Sequence, residues 1–309
     1  MMRWRRMGGV SGPPAATRGR FQADLLAGLA PLIFLLLWSS GFGVAKAGLR
    51  HAEPLTFLSL RYGIIVLLFL PIFLILRPRL PATRKAWLHI AVVGFLIQSV
   101  YFGLAWIGLG LGVSAGVAAV ISSTQPLLVA LMAPRIAKER VGALRWVGLL
   151  LGAAGAVIVI AASASFSTDL DIGILCCAVA TLGMAGGTLY QKRFVTEAHP
   201  VVVNLVHYAV GFVTIAPLAL GFDSMKIDWT PDFILSLGWI VAANSVLAIS
   251  LLLFMINRSE ASRISALFFL VPPMAALFGW LLLGETLTLT ACAGMAIAVA
   301  GVWLVSRSA

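Results

Sequence analysis

Apolar residues run through this chain in stretches of roughly 20, separated by short breaks rich in Arg, Lys, Pro and Gly. Marked off by those breaks, helices are predicted near residues 25–45, 55–76, 86–107, 114–134, 143–162, 172–191, 201–221, 233–256, 262–283 and 288–305. The junctions between the third and fourth and between the ninth and tenth are very short. Runs of this length suit a hydrocarbon layer about 30 Å thick. The expected fold class is an all-α integral membrane protein with ten transmembrane helices.

The pattern is written twice. The stretch TQPLLVALMAPRIAKE (Thr124–Glu139) returns as LVPPMAALFGWLLLGE (Leu270–Glu285), with Pro126 to Pro272 and Glu139 to Glu285 both offset by 146. The same offset pairs Gly41 with Gly187, Lys46 with Lys192, Pro54 with Pro200, Tyr62 with Tyr208, Gly148 with Gly294 and Gly155 with Gly301. Each unit holds five predicted helices, and an odd number turns the second unit upside down relative to the first. The expected organisation is a basic cytoplasmic N-terminal segment (1–24), a first five-helix repeat (25–162) and a second, inverted one (172–305). Inverted repeats of this kind suit transport by alternating access around a site at mid-membrane.

Composition agrees with the membrane reading: 61% of the 309 residues are hydrophobic and 11% charged, against roughly 25% charged in a soluble domain. The net charge of +11 does not imply nucleic acid, because the basic residues lie in the gaps between apolar runs rather than on a soluble module. With the N-terminus inside, 18 Lys and Arg fall on the cytoplasmic side, and only Lys46, Arg50 and Lys226 on the other. The positive-inside rule then places both termini of a multi-pass inner-membrane protein in the cytoplasm. The first apolar run is too long for the core of a typical signal peptide. Cys176, Cys177 and Cys292 lie inside apolar runs with neither disulfide nor metal spacing, so no metal or other cofactor is expected.

Polar residues at helix centres mark the expected site. Gln98 and Asn244 sit near the middles of the third and eighth helices and are related by the offset of 146. Ser122, Ser123, Thr124 and Gln125 gather at the same depth, with Tyr101 one turn from Gln98. Trp38 and Ser39 are further candidates. Pro126, Pro272 and Pro273 break the fourth and ninth helices and free the carbonyls of Ser122, Phe268 and Phe269, which need protein or water as partners. Arg61 and its equivalent His207 lie inside the second and seventh spans, and both are expected to snorkel to the nearer interface. The carboxylates fall at helix ends or in loops, leaving no obvious mid-membrane proton carrier of the Asp or Glu kind. GVSAG (Gly112–Gly116) has the form of a hydrolase elbow but enters a membrane helix, where glycines at 108, 112 and 116 read as close packing.

The segment LLWSSGFGVAKAGLRHAEPLTFLSLRY, with the doubled Pro-to-Glu stretches and the paired glycines after them, resembles the EamA-like permeases of the drug/metabolite transporter superfamily. The resemblance covers about residues 25–305. It implies a ten-helix inner-membrane carrier of metabolites, amino acids or drug-like compounds, often moved outward, with a cavity lined by helices 1, 3, 4, 6, 8 and 9. It also implies that Glu139 and Glu285 cap the helix that follows each. The first copy departs from the family by having Lys138-Glu139 where a small Gly-Glu is usual. The expected partners are a small-molecule substrate and the lipid bilayer, without nucleic acid. The expected function is that of an exporter; a channel-like facilitator and a membrane-embedded enzyme are the alternatives.

Overall fold

The computed structural model describes residues 15–113, 118, 121–163, 172–195, 198–274 and 288–307. In chain order we number α1 (Ala15–Gly48), α2 (Pro54–Leu76), α3 (Arg84–Gly110), α4 (Gln125–Ile136), α5 (Ala143–Ser163), α6 (Ile172–Phe194), α7 (Pro200–Phe222), α8 (Pro231–Arg258), α9 (261–274) and α10 (Leu289–Arg307). No strand occurs among the described residues; residues 52 and 227 meet only in an isolated bridge. Seven helices, α1 to α3, α6 to α8 and α10, are long and apolar enough to cross a bilayer, while α4 and α5 are described as shorter apolar helices. α1 is helical from Ala15, so it takes in part of the basic segment (1–24) that the sequence places before the first helix. Glu285 and Gly116 lie outside the described residues.

Element boundaries repeat as the residues do. α2 and α7 are both 23 residues long and offset by 146 at each end, each opening on a Pro whose missing N–H costs nothing in a first turn. α1 and α6 end at the same offset, at Gly48 and Phe194. The middles of α3 and α8 widen into π-helical segments, Phe95–Gly103 and Ile240–Ala248, each carrying its mid-helix amide. π-turns leave side chains and carbonyls in positions an α-helix does not offer, and they gather at functional sites.

Two pairs of equivalent helices, α5 with α10 and α2 with α7, pack antiparallel. Along α5 and α10, a Cβ on Gly148 would lie 2.9 Å from the Gly301 carbonyl oxygen, and one on Gly155 2.6 Å from that of Gly294. Glycines related by the offset therefore face one another crosswise, and the seam closes backbone to backbone, as small residues allow between membrane helices. α2 and α7 pair in the same sense: Thr56 at the start of α2 meets Asp223 just beyond α7, and the Tyr62 and Tyr208 rings stand 5.8 Å apart at the centre. These contacts give two halves related by a two-fold axis lying across the bundle.

The proline breaks sit differently from their sequence placement. Pro126 is in the first turn of α4, after a turn at 123–124, rather than inside a continuous helix. Pro272 and Pro273 follow a 3₁₀ stretch, Ala266–Leu270, which includes the carbonyls they were expected to free. Gly108 packs on α6, where a Cβ would meet the Gly173 carbonyl oxygen at 2.8 Å, and Gly112 takes φ +101°, a conformation glycine alone adopts easily.

Candidate functional site

Between α1, α2, α3 and α8 lies a half-open cavity lined by Trp38, Arg61, Tyr101, Phe102, Trp106 and Asn244, among others. About 30 Å³ is open to the centres of water molecules, room for roughly two waters. Its walls are mostly aromatic. Trp38 stacks on Tyr101 with ring centres 6.2 Å apart and planes 13° apart, and meets Phe268 of α9 edge-on at 5.4 Å.

Arg61 does not snorkel. It lies seven residues into α2, about 10 Å along the axis from Pro54, and is 0% exposed. Its guanidinium carbon stands 4.3 Å from the Phe102 ring centre, 5.5 Å from Tyr62 and 5.6 Å from Trp106. The Nε–H donates to the Ser245 hydroxyl at 2.7 Å, while Nη2 is buried without a partner. Among the described residues no carboxylate pairs with it. The aromatic faces and Ser245 hold the cation inside the protein, which removes the reason to reach for the interface.

Ser245 is the hinge of this arrangement. Its hydroxyl donates to the carbonyl of Ile240, five residues earlier across the π-turn, and its own carbonyl accepts from the Tyr208 hydroxyl. In the other half the Tyr62 hydroxyl donates to the carbonyl of Gln98, again within a π-segment. Thus each half's tyrosine is bonded to a wide turn, and the α8 turn aims Ser245 at Arg61. His207, the equivalent of Arg61, is also fully buried, against the α3 backbone at Gly94, with neither ring nitrogen partnered. It too fails to reach the interface.

Of the residues picked out from the sequence, Trp38, Tyr101 and Asn244 line the cavity. Asn244 donates from Nδ2 to the Leu37 carbonyl of α1 and keeps Oδ1 unpartnered. Gly41 admits this amide, since a Cβ there would collide with it. Gln98 is turned towards α7, where a Cβ on Gly211 would come 2.8 Å from its own Cβ. Its amide lies near the Tyr208 hydroxyl, yet no hydrogen bond of good geometry reaches either amide atom. Gln125 is buried, with Nε2 3.4 Å from the Ser265 hydroxyl; Ser122 lies near Tyr101; Thr124 is exposed and donates to the Ile121 carbonyl. Ser39 is buried without a partner for its hydroxyl, and Ser123, in the turn itself, is buried. Gln98, Ser122, Thr124, Gln125, Pro126, Pro272 and Pro273 do not line the cavity, and among the described residues α2 takes the place in its wall that the resemblance gave to helices 4, 6 and 9.

Both ends of the bundle are tied across the halves. At one face the Glu53 carboxylate accepts from the Ser224 hydroxyl and amide, both at 2.5 Å, and Asp223 accepts from the Thr56 amide and hydroxyl at 2.7 and 2.9 Å. The Ser224 hydroxyl first, then its amide, holds the Glu53 carboxyl below its ordinary value of 4.5. At the opposite, basic face Glu139 accepts from the amides of Ala261 and Ser262 at 2.8 and 3.4 Å. It therefore caps α9, a helix of the other half, and not the helix that follows it. Arg145, 2% exposed, adds an ion pair with Glu260 at 2.6 Å. Lys138 takes φ +57°, making in left-handed conformation the turn at which the family favours glycine.

A helical membrane protein with inverted halves, an interior cavity and a tie at each face has the build of a secondary transporter. The chain belongs to the EamA-like transporter family, whose pattern matches twice, at residues 25–161 and 171–307, again offset by 146. It is similar to the uncharacterized transporter YvbV of Bacillus subtilis (28% identical, covering 89% of this chain and 90% of the relative). It is also similar to a "Probable amino-acid metabolite efflux pump" of Salmonella typhimurium (26% identical, 90% and 93% covered) and to the inner membrane transporter YedA of Escherichia coli K12 (24%, 88% and 87%). A solved structure described as "Crystal structure of protein" shares the fold, with TM-score 0.75 at 17% identity, covering 91% of this chain and 97% of that one.

Proposed function

We propose that this protein is a ten-span inner-membrane carrier that exports small metabolites by alternating access, with both termini in the cytoplasm. The observation that carries this reading is the cavity with a tie across the halves at each face. In a carrier the two halves exchange roles, so one tie opens while the other holds. On the orientation that the basic residues favour, the Glu139–Arg145 cluster is the cytoplasmic tie and the Glu53–Asp223 cluster the outer one. The outward direction follows the efflux relative from Salmonella typhimurium. A channel would not close at both ends around its site, and the described cavity wall carries no Ser, Cys, His, Asp or Glu to act as nucleophile or base, as an enzyme would require. Counterflow in proteoliposomes tests the proposal. A carrier accelerates uptake of trace labelled substrate when unlabelled substrate is loaded opposite; a pore gives no acceleration.

A further inference from the structure

Alternating access by itself gives no role to one group, a fully buried guanidinium that faces the cavity with no carboxylate against it among the described residues. An arginine keeps its charge, and an isolated charge in a membrane interior marks a substrate or ion path. Phe102, Trp106 and Tyr62 lie over or beside it, but ring faces do not neutralise a cation. Ser245 occupies Nε and the Tyr208 hydroxyl lies beside the guanidinium, which leaves Nη2, buried without a partner, for a ligand. Resting on the carrier reading, we infer that Arg61 is the counter-ion for the cargo, and that the cargo is a small organic monoanion: a carboxylate on an aromatic or branched apolar body.

The rest of the wall sharpens the class. Trp38, Tyr101, Phe102, Trp106, Leu109 and Ile240 supply apolar surface for the body, which the two-water space admits only when the surrounding helices part as the halves rock. Asn244 Oδ1 is a second unpartnered atom, and as an acceptor it takes a hydroxyl or amide N–H on the cargo. No described lining residue is acidic, so an ammonium finds no charge partner among them. The site therefore fits a hydroxy acid or N-acyl acid better than a zwitterion. A monoanion leaving a cell that is negative inside moves down the electrical gradient, so its export needs no proton-carrying carboxylate in the spans.

Phenyllactate, phenyllactamide, L-phenylalanine and chloride form a probe set that separates these features, measured by thermal unfolding and titration calorimetry on the purified full chain. The expected result is binding of phenyllactate about tenfold or more tighter than phenyllactamide or L-phenylalanine, with no chloride response of the same size. Arg61→Gln brings acid and amide to within about twofold of each other, and Arg61→Lys retains part of the preference. If Arg61→Gln fails to fold, the wild-type series decides alone. Equal binding of acid and amide, tighter binding of L-phenylalanine, an equal effect of chloride, or binding of none of the four overturns the inference. Counterflow separates the two proposals: phenyllactate that binds but does not exchange sinks the carrier and leaves the anion site, whereas exchange that ignores the carboxylate sinks the anion site alone.

Discussion

Removing the Glu139 carboxylate loosens the basic-face tie by an amount the geometry sets. Glu139→Ala takes away the acceptor for the Ala261 amide at 2.8 Å and for the Ser262 amide and hydroxyl at 3.4 and 3.3 Å. It also removes a negative charge from the N-terminus of α9. A lost cap of this kind costs about 0.5–2 kcal/mol, with a few tenths to 1 kcal/mol more for the charge at the helix dipole. If the tie is made only while this face is closed, about 1–3 kcal/mol moves the balance towards opening by about 5- to 150-fold. The assay is modification of Asn244→Cys by a membrane-impermeant thiol reagent, with Cys176, Cys177 and Cys292 replaced by Ser. In inside-out vesicles the rate should rise within that range in the Glu139→Ala background, and Glu139→Gln, which keeps one acceptor, should give a smaller rise. In right-side-out vesicles the rate should fall or stay level. An unchanged rate in inside-out vesicles, or an equal rise from both sides, would refute the reasoning.

Other perturbations have directions worked from the same geometry. Gly155→Ala forces a Cβ against the Gly294 carbonyl oxygen and the Ala298 backbone, which should lower stability by about 1–3 kcal/mol, read as an earlier melt in detergent. Lys138→Gly relieves a left-handed backbone at φ +57°; it should stabilise the chain by up to about 1 kcal/mol in the same melt, the gain being trimmed by the freer unfolded glycine. Glu53 has a depressed folded pKa, so its contribution is present above the ordinary value of 4.5 and is lost as pH falls through the lower, folded value. Disulfide trapping between cysteines placed at 52 and 227 should then hold steady from neutral pH down to about 4.5 and weaken only below it, once the rate is corrected for thiol ionisation.

The repeat is legible in the sequence because prolines and carboxylates are few enough inside and between apolar runs for a shared offset to stand out. Trp38, Tyr101 and Asn244, which line the cavity, are legible because each is polar or aromatic near the middle of an apolar run. Arg61 is not. A long side chain two turns inside a span reaches water unless other helices surround it, and Phe102, Trp106 and Ser245 arrive from α3 and α8. The π-segments have no sequence mark: FLIQSVYFG and IVAANSVLA lack a proline and look like ordinary apolar helix. Their extra width is what turns Ser245 to Arg61. For Glu139, sequence distance favours capping of the helix that begins four residues on, but its partners come from the other half, 122 and 123 residues away. An unpaired cation inside a span is the available signal, and asking first what could neutralise it leads to the cavity.

The two ties should open alternately, and a measurement at both faces at once tests this most directly. Spin labels at Glu53 and Ser224 would remove the groups they report on, so pairs at Arg50 with Asp228 for the outer face, and at Arg140 with Ser259 for the basic face, leave both ties intact. Pulsed electron paramagnetic resonance on the full chain in lipid nanodiscs, with and without transported substrate, gives both distance distributions. Alternating access predicts populations in which one pair is short while the other lengthens, with substrate shifting the balance and no condition widening both. Simultaneous widening at both faces would make the protein a channel, and two short distances under every condition would leave it with no transport cycle.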